Sequence, residues 1–319
     1  TVISSKVAFR SLSAVNNEAE MSDMWIILTP LLRFAFYPAL LLAIGGVIFS
    51  SVMARHLGLA IQAYTGRVTM LAALAGLCIA GLQIPAAAGN MAGDLAGIGD
   101  PLLIALVLET PVGAAAVMAA AGFLVILVIE LAVKDPSHPL RITGPGIVIL
   151  SMLLAGHVTT GGLQAGILLA VHLAGLGFWL GALLPLRAMC RDPQRFGGQA
   201  ALADLTDVFG RRAIWIVPVL LIAGTLYAVM LVGSFAALTT TPYGQVLMVK
   251  VGLVSGLLGL AALNKFLLVP ALRSGEAAAP SRLRRSIDWE LAGVAAVLLA
   301  TSLMTTSLLL PDGMTMGGM

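Results

Sequence analysis

Apolar residues run along this chain in long blocks, separated by short polar or basic connections. Blocks long enough to cross about 30 Å of hydrocarbon as helix occur at 28–53, 67–88, 102–132, 142–156, 163–186, 213–238, 243–271 and 287–310. None shows the polar/apolar alternation over about ten positions that a membrane strand needs. The pattern predicts an all-α polytopic membrane protein with eight transmembrane helices, the fourth being the shortest.

Composition narrows the class further. Of 319 residues 59% are apolar, 35 are glycine and only 10% are charged, whereas about a quarter of a soluble domain is charged. Too little polar surface is available for a soluble enzyme or a nucleic-acid binder. The net charge of +3 records membrane topology rather than a nucleic-acid partner. Fourteen of the 18 basic residues fall at the 1–2, 3–4, 5–6 and 7–8 connections, including Arg55, Lys134, Arg141, Arg195 and Arg273. The other connections carry none. By the positive-inside rule these four connections face the cytoplasm, and both termini face outward, which is periplasmic in a bacterial inner (plasma) membrane. Lys6 and Arg10, in the outward N-terminal segment, run against the trend. Cys78 and Cys190 form no CxxC motif and read as unpaired thiols, so there is no disulfide framework.

Two halves echo each other. Thr110-Pro111-Val112-Gly113 opens the third span as Thr241-Pro242-Tyr243-Gly244 opens the seventh, and Gly66-Arg67 is matched by Gly210-Arg211. Four spans is an even number, so the expectation is a parallel 4+4 pseudo-repeat with any site near the interface of the halves. The boundaries are 1–24 for an N-terminal tail, 25–158 and 159–310 for the halves, and 311–319 for a methionine-rich tail. The polar stretch before Met21 and Met24 reads as a leader remnant, a mis-started upstream frame or a cloning scar, and is set aside.

Ionisable groups in hydrocarbon cost about 2.5–3.5 kcal/mol each on insertion scales, so each needs a reason. Glu109, His157, His172 and Lys250 are the ones singled out, all in the outer half. Glu109 and Lys250 read either as a buried ion pair or as charges on a transport pathway. His172, Gly175 and Trp179 share one helix face at i, i+3 and i+7. A glycine there admits a second helix and the indole walls off a small cavity; the imidazole alone would also suit a hydrogen bond to a neighbouring carbonyl. His56 and His138 belong to solvated connections.

Methionine adds a second signal. The tail carries Met314, Met316 and Met319 in nine residues with no packing demand, and Met91 and Asp94 in the 2–3 connection add outer-face donors. Soft thioethers favour Cu(I), and imidazole suits Cu(I) or Cu(II). No Walker A loop, CPC, DKTG or HExxH motif is present, so neither ATP-driven pumping nor zinc proteolysis has its machinery; the chain is not expected to be an enzyme.

Gly156-His157 and the run His172-Leu173-Ala174-Gly175-Leu176-Gly177-Phe178-Trp179-Leu180-Gly181-Ala182-Leu183-Leu184-Pro185 resemble the signature of the copper resistance protein D family. Thr241-Pro242-Tyr243-Gly244 with Lys250, then Asn264-Lys265, is similar to that family's seventh span, and Gly210-Arg211 fits its sixth. The likeness is strongest over 150–272; the first half matches by topology. The resemblance implies an inner-membrane protein of copper import and resistance, moving copper from periplasm toward cytoplasm with a periplasmic CopC-like partner. It carries over His157, His172, Trp179, Tyr243 and Lys250 as motif positions, without assigning which binds metal. On this reading copper meets the methionine tail, then His157 and His172, while Glu109 and Lys250 balance charge or carry a coupled proton. Two alternatives stand beside it: a b-type haem cytochrome using His157 and His172 as axial ligands, and a copper-binding docking protein or sensor that does not transport.

Overall fold

The computed structural model describes the backbone of residues 2–155 and 162–308 and the side chains of 24–155 and 162–308. The helices are α1 (Val2–Val52), α2 (Leu59–Ala92), α3 (Pro101–Glu109), α4 (Pro111–Ala132), α5 (Thr143–Ser151), α6 (Gly162–Arg191), α7 (Gly198–Val232), α8 (Phe235–Thr240), α9 (Pro242–Leu263), α10 (Val269–Arg273) and α11 (Ala279–Thr306). There is no strand among the described residues. Helix α9 runs into α10 through one π-helical turn, Asn264–Leu268.

Seven segments are long and apolar enough to cross a membrane: Met24–Val52, Leu59–Ala92, Pro111–Ala132, Gly162–Arg191, Gly198–Val232, Pro242–Arg273 and Ala279–Thr306. They take the places of seven of the eight predicted spans. The fourth place holds α5, whose 9 residues rise only about 14 Å. After Ser151 the backbone leaves the α-helical pattern: Met152, Leu153 and Leu154 each donate to the carbonyl three residues back. The Ser151 hydroxyl also turns back onto the Val148 carbonyl at 2.7 Å. An eighth full-length helix is therefore not found among the described residues.

The predicted third span, 102–132, is broken at Thr110-Pro111. Proline has no N–H to continue α3, and it fits the first turn of α4 because that turn's N–H groups have no helical partner. Thr110 caps α4 by accepting from the Gly113 N–H at 3.2 Å. The same corner recurs at Thr241-Pro242, where the Thr241 hydroxyl accepts from Gly244 N–H at 3.1 Å. Both glycines are needed: a Cβ at Gly113 would meet the Val107 carbonyl, and one at Gly244 the Ala237 carbonyl.

Helix α1 is the hub, packing against α2, α5, α6 and α11. Small residues make that possible. Gly45 lies backbone to backbone against Gly177 and Gly181 of α6, and Gly46 seats the Thr69 hydroxyl of α2. Between membrane helices, where lipid is as apolar as leucine, close approach through Gly-xxx-Gly faces supplies the dispersion contact. Around this seam the fully buried rings Phe36, Phe49, Phe123 and Phe178 fill the core, while Leu71, Leu131 and Val249 stand more than half exposed on the outside, facing lipid.

The four basic connections meet at one end of the bundle. Gln62 donates to the Lys134 carbonyl at 3.0 Å, and Gln199 to the carbonyls of Leu272 at 3.2 Å and Glu276 at 3.1 Å. The Tyr64 and Phe196 rings lie 6.1 Å apart, tying the first half's basic end to the second's. This end is called the basic end below.

Candidate functional site

His172, Gly175 and Trp179 share one stripe of α6 but serve different neighbours: the first two meet α7 and the third meets α11. The His172 Nδ1 lies 3.1 Å from the Leu220 carbonyl of α7. A carbonyl only accepts, so Nδ1 must carry the hydrogen. In the neutral ring the lone pair is then left on Nε2, the arrangement that orients a histidine for a metal. The ring lies on Gly224, where a Cβ would come within 2.6 Å of Nδ1. Gly175, one turn on, lets α7 approach: a Cβ there would sit 3.1 Å from that of Leu220.

Trp179 points elsewhere. Its indole N–H donates to Glu290 Oε2 of α11 at 3.1 Å, and the Asn264 amide donates to the other oxygen, Oε1, at 2.5 Å. Glu290 is only 3% exposed and has no cationic partner among the described residues. A cavity of about 270 Å³ lies beside this trio, reaching from Gly175 and Trp179 down to Gly210, Lys265 and Asp207 near the basic end. It exists because α7 packs on α6 and on α10 but not along α9. The π-helical turn helps shape it. An i→i+5 bond inserts one extra residue into the helix, and such turns recur at functional sites. Here it places Asn264 toward Glu290 and lets the Lys265 ammonium donate to the Gly210 carbonyl at 3.1 Å across the cavity.

The remaining predicted residues are scattered. Glu109 is exposed at the end of α3, outside the span Pro111–Ala132, because the helix breaks behind it. No ion pair joins it to Lys250 among the described residues. Lys250 lies within α9, about 12 Å from its start. Tyr243 is buried at the start of α9 with Leu231, Val232 and Met304. Asp94 accepts from the Gly97 N–H at 3.0 Å, and Met91 is exposed at the end of α2. His157, Met314, Met316 and Met319 lie outside the described residues. Among the described residues no group of three or more His, Cys, Asp or Glu side chains converges to hold a metal, and His172 is the one imidazole within a span. Both cysteines are free; Cys190 is buried at the end of α6 rather than lying in a solvated connection.

Two buried carboxylates escaped the sequence reading although both fall inside the apolar runs drawn there. One is Glu290. The other, Glu130 of α4, forms an ion pair with Arg141, both nearly buried. Arg141 also donates to the Val133 carbonyl at 3.3 Å and the Ser50 hydroxyl at 3.4 Å, while its Nε has no partner. Arg141, one of the basic residues of the 3–4 connection, thus also ties α4 to α1 at the basic end. The rule that selects Glu109, an ionisable residue inside an apolar run, selects these two as well.

Residues 203–304 match the family model described as copper resistance protein D. Residues 21–167 match that of the copper resistance protein D-like, N-terminal domain. The chain belongs to the copper resistance protein D family. The two matches together take in well over half of its length; neither includes residues 168–202, where the α6 run from His172 to Pro185 lies. Comparison with curated proteins and with solved structures finds no match. As a copper resistance protein D family member, the chain is a multi-pass membrane protein of copper resistance.

Proposed function

We propose that this protein transports copper across the bacterial inner membrane, taking it from the periplasmic side. The observation that carries the reading is His172: its Nδ1 hydrogen is committed to the Leu220 carbonyl, which presents the Nε2 lone pair as a ready ligand inside a membrane span. Copper is cargo here, not a resident cofactor. A single imidazole suits that role, since cargo must leave as well as arrive, and ligand exchange between soft and imidazole donors needs no ATP. His157 and the methionines of the tail, Met314, Met316 and Met319, supply the earlier ligands. Met91, Asp94 and Glu109 lie on the same, outer side.

The basic end is cytoplasmic on this reading and both termini are periplasmic, where a CopC-like copper-binding protein delivers the ion. The corners at Thr110-Pro111 and Thr241-Pro242 support a parallel relation between the halves, with α1 and α6 as the seam. Copper accumulation in cells overproducing the protein is the test. His172→Ala combined with His157→Ala is expected to abolish the extra uptake while the protein stays in the membrane. Unchanged uptake overturns the proposal, and binding without flux in proteoliposomes turns it into a docking protein. Bis-histidine haem ligation receives no support from the described residues, and a missing Soret band in purified protein disposes of it.

A further inference from the structure

The cavity beside Glu290 holds no thiol, thioether or imidazole. It is therefore not a place for a soft metal. Its polar end is a carboxyl group held by two neutral donors, the Trp179 indole and the Asn264 amide, one to each oxygen. A hard cation takes six or more oxygen ligands, and the other carboxylate lining the cavity, Asp207, is already paired with Arg211 and Arg273. A proton needs only one oxygen.

None of the cations around Glu290 pairs with it among the described residues. Arg187 of α6 pairs with Asp288 of α11 at 2.5 Å. Lys265 of the π-turn is bonded to the Gly210 carbonyl, and Arg273 of α10 pairs with Asp207 of α7 at 2.8 Å, Arg211 adding to that pair. On α11 itself Arg282 pairs with Glu276, and Arg284 and Arg285 lie in the first turns, beyond Asp288. Arg191 ends α6 at the basic end, and Lys250 lies toward the start of α9, away from the end that leads into Asn264. The described cation of α1, Arg33, lines a different, smaller cavity with Gln83. A carboxyl so enclosed, without a counter-charge, is not stable as a permanent anion in a low-dielectric interior.

Asparagine at 264 suits both protonation states. Its amide nitrogen donates to Glu290 Oε1, as an ionised carboxylate requires, and its Oδ1 is buried with no partner among the described residues. Turned over, that oxygen accepts the O–H of a carboxylic acid, so the orphan atom gains its partner when a proton arrives. The geometry points to Glu290 as a proton-binding site in the membrane, loaded from the basic end through the cavity between α6, α7 and α11. The step is simple: a proton from water adds to one carboxylate oxygen and leaves by the same path. This inference rests on the transport reading only for what the proton accompanies.

Infrared difference spectroscopy of the purified full chain, titrated without copper, tests it independently. A carboxylic C=O band is expected to grow in as the pH is lowered, to shift in D2O, to disappear in Glu290→Gln and to persist in the exposed-site control Glu109→Gln. Trp179→Phe and Asn264→Leu are expected to shift the band without removing it, because each takes away one hydrogen bond. A wild-type spectrum without that band, a band unchanged in Glu290→Gln, or one that does not shift in D2O overturns the inference. Copper uptake by proteoliposomes, followed with an internal pH dye, distinguishes the two proposals. If copper does not move, the transport reading fails while the band decides Glu290. If copper moves in wild type but the carboxylic band is missing or survives in Glu290→Gln, the proton site fails alone.

Discussion

Replacing Glu130 by glutamine removes the anion from a guanidinium that has few other acceptors. Arg141 is 6% exposed, its other contacts are two neutral oxygens at 3.3 and 3.4 Å, and its Nε already lacks a partner. Breaking one side of a buried pair costs about 3–5 kcal/mol, chiefly because a charge is stranded, whereas replacing both sides by apolar groups is often neutral. Glu130→Gln and Arg141→Met are each expected to destabilise by about that amount. The double variant Glu130→Met, Arg141→Met is expected to recover most of the loss. The assay is unfolding of the purified protein in mild detergent, run as a double-mutant cycle. The surroundings make the sign firm: Ser50 sits against Arg141, and both charged side chains are almost wholly out of reach of water. If either single variant unfolds like wild type, or the double variant is worse than both, the pair does not hold the basic end together as argued.

Further tests reach other parts of the bundle. Gly181→Ala drives a methyl group into the Gly45 backbone of α1, and a cost of about 1–3 kcal/mol is expected in the same unfolding assay, larger than for Gly146→Ala, where the space is open. Thr241→Ala removes the cap of α9 and is expected to cost about 1 kcal/mol, with Thr241→Ser retaining it. Gly224→Val displaces the His172 ring from its carbonyl, so copper uptake is expected to fall although no candidate ligand is changed, with expression checked by immunoblot. An apolar maleimide is expected to label Cys78, which is exposed, and not the buried Cys190, so Cys78→Ala abolishes the mass shift.

The run lengths and the charge count by themselves determine a helical membrane protein, because an apolar block of twenty or more residues has no other way to satisfy its backbone in lipid. The stripe of His172, Gly175 and Trp179 was also legible, since helical periodicity alone puts those positions on one face. What periodicity cannot say is which neighbour a face meets. Trp179 turned out to serve α11 through Glu290, and His172 to serve α7 through Leu220, because the packing of α1 against Gly177 and Gly181 fixes how α6 is rotated. Helix breaks were only partly legible: Thr-Pro at 110–111 carries its own signal, yet inside an apolar block it was read through, which placed Glu109 too deep. The π-turn at Asn264–Leu268 has no sequence signature at all, as it arises where α9 and α10 must meet α11 and α7 in one helix. Low charge was a property of the sequence; which of the few charges are paired, and that Glu290 faces a cavity with only neutral donors among the described residues, was settled only when the helices came together.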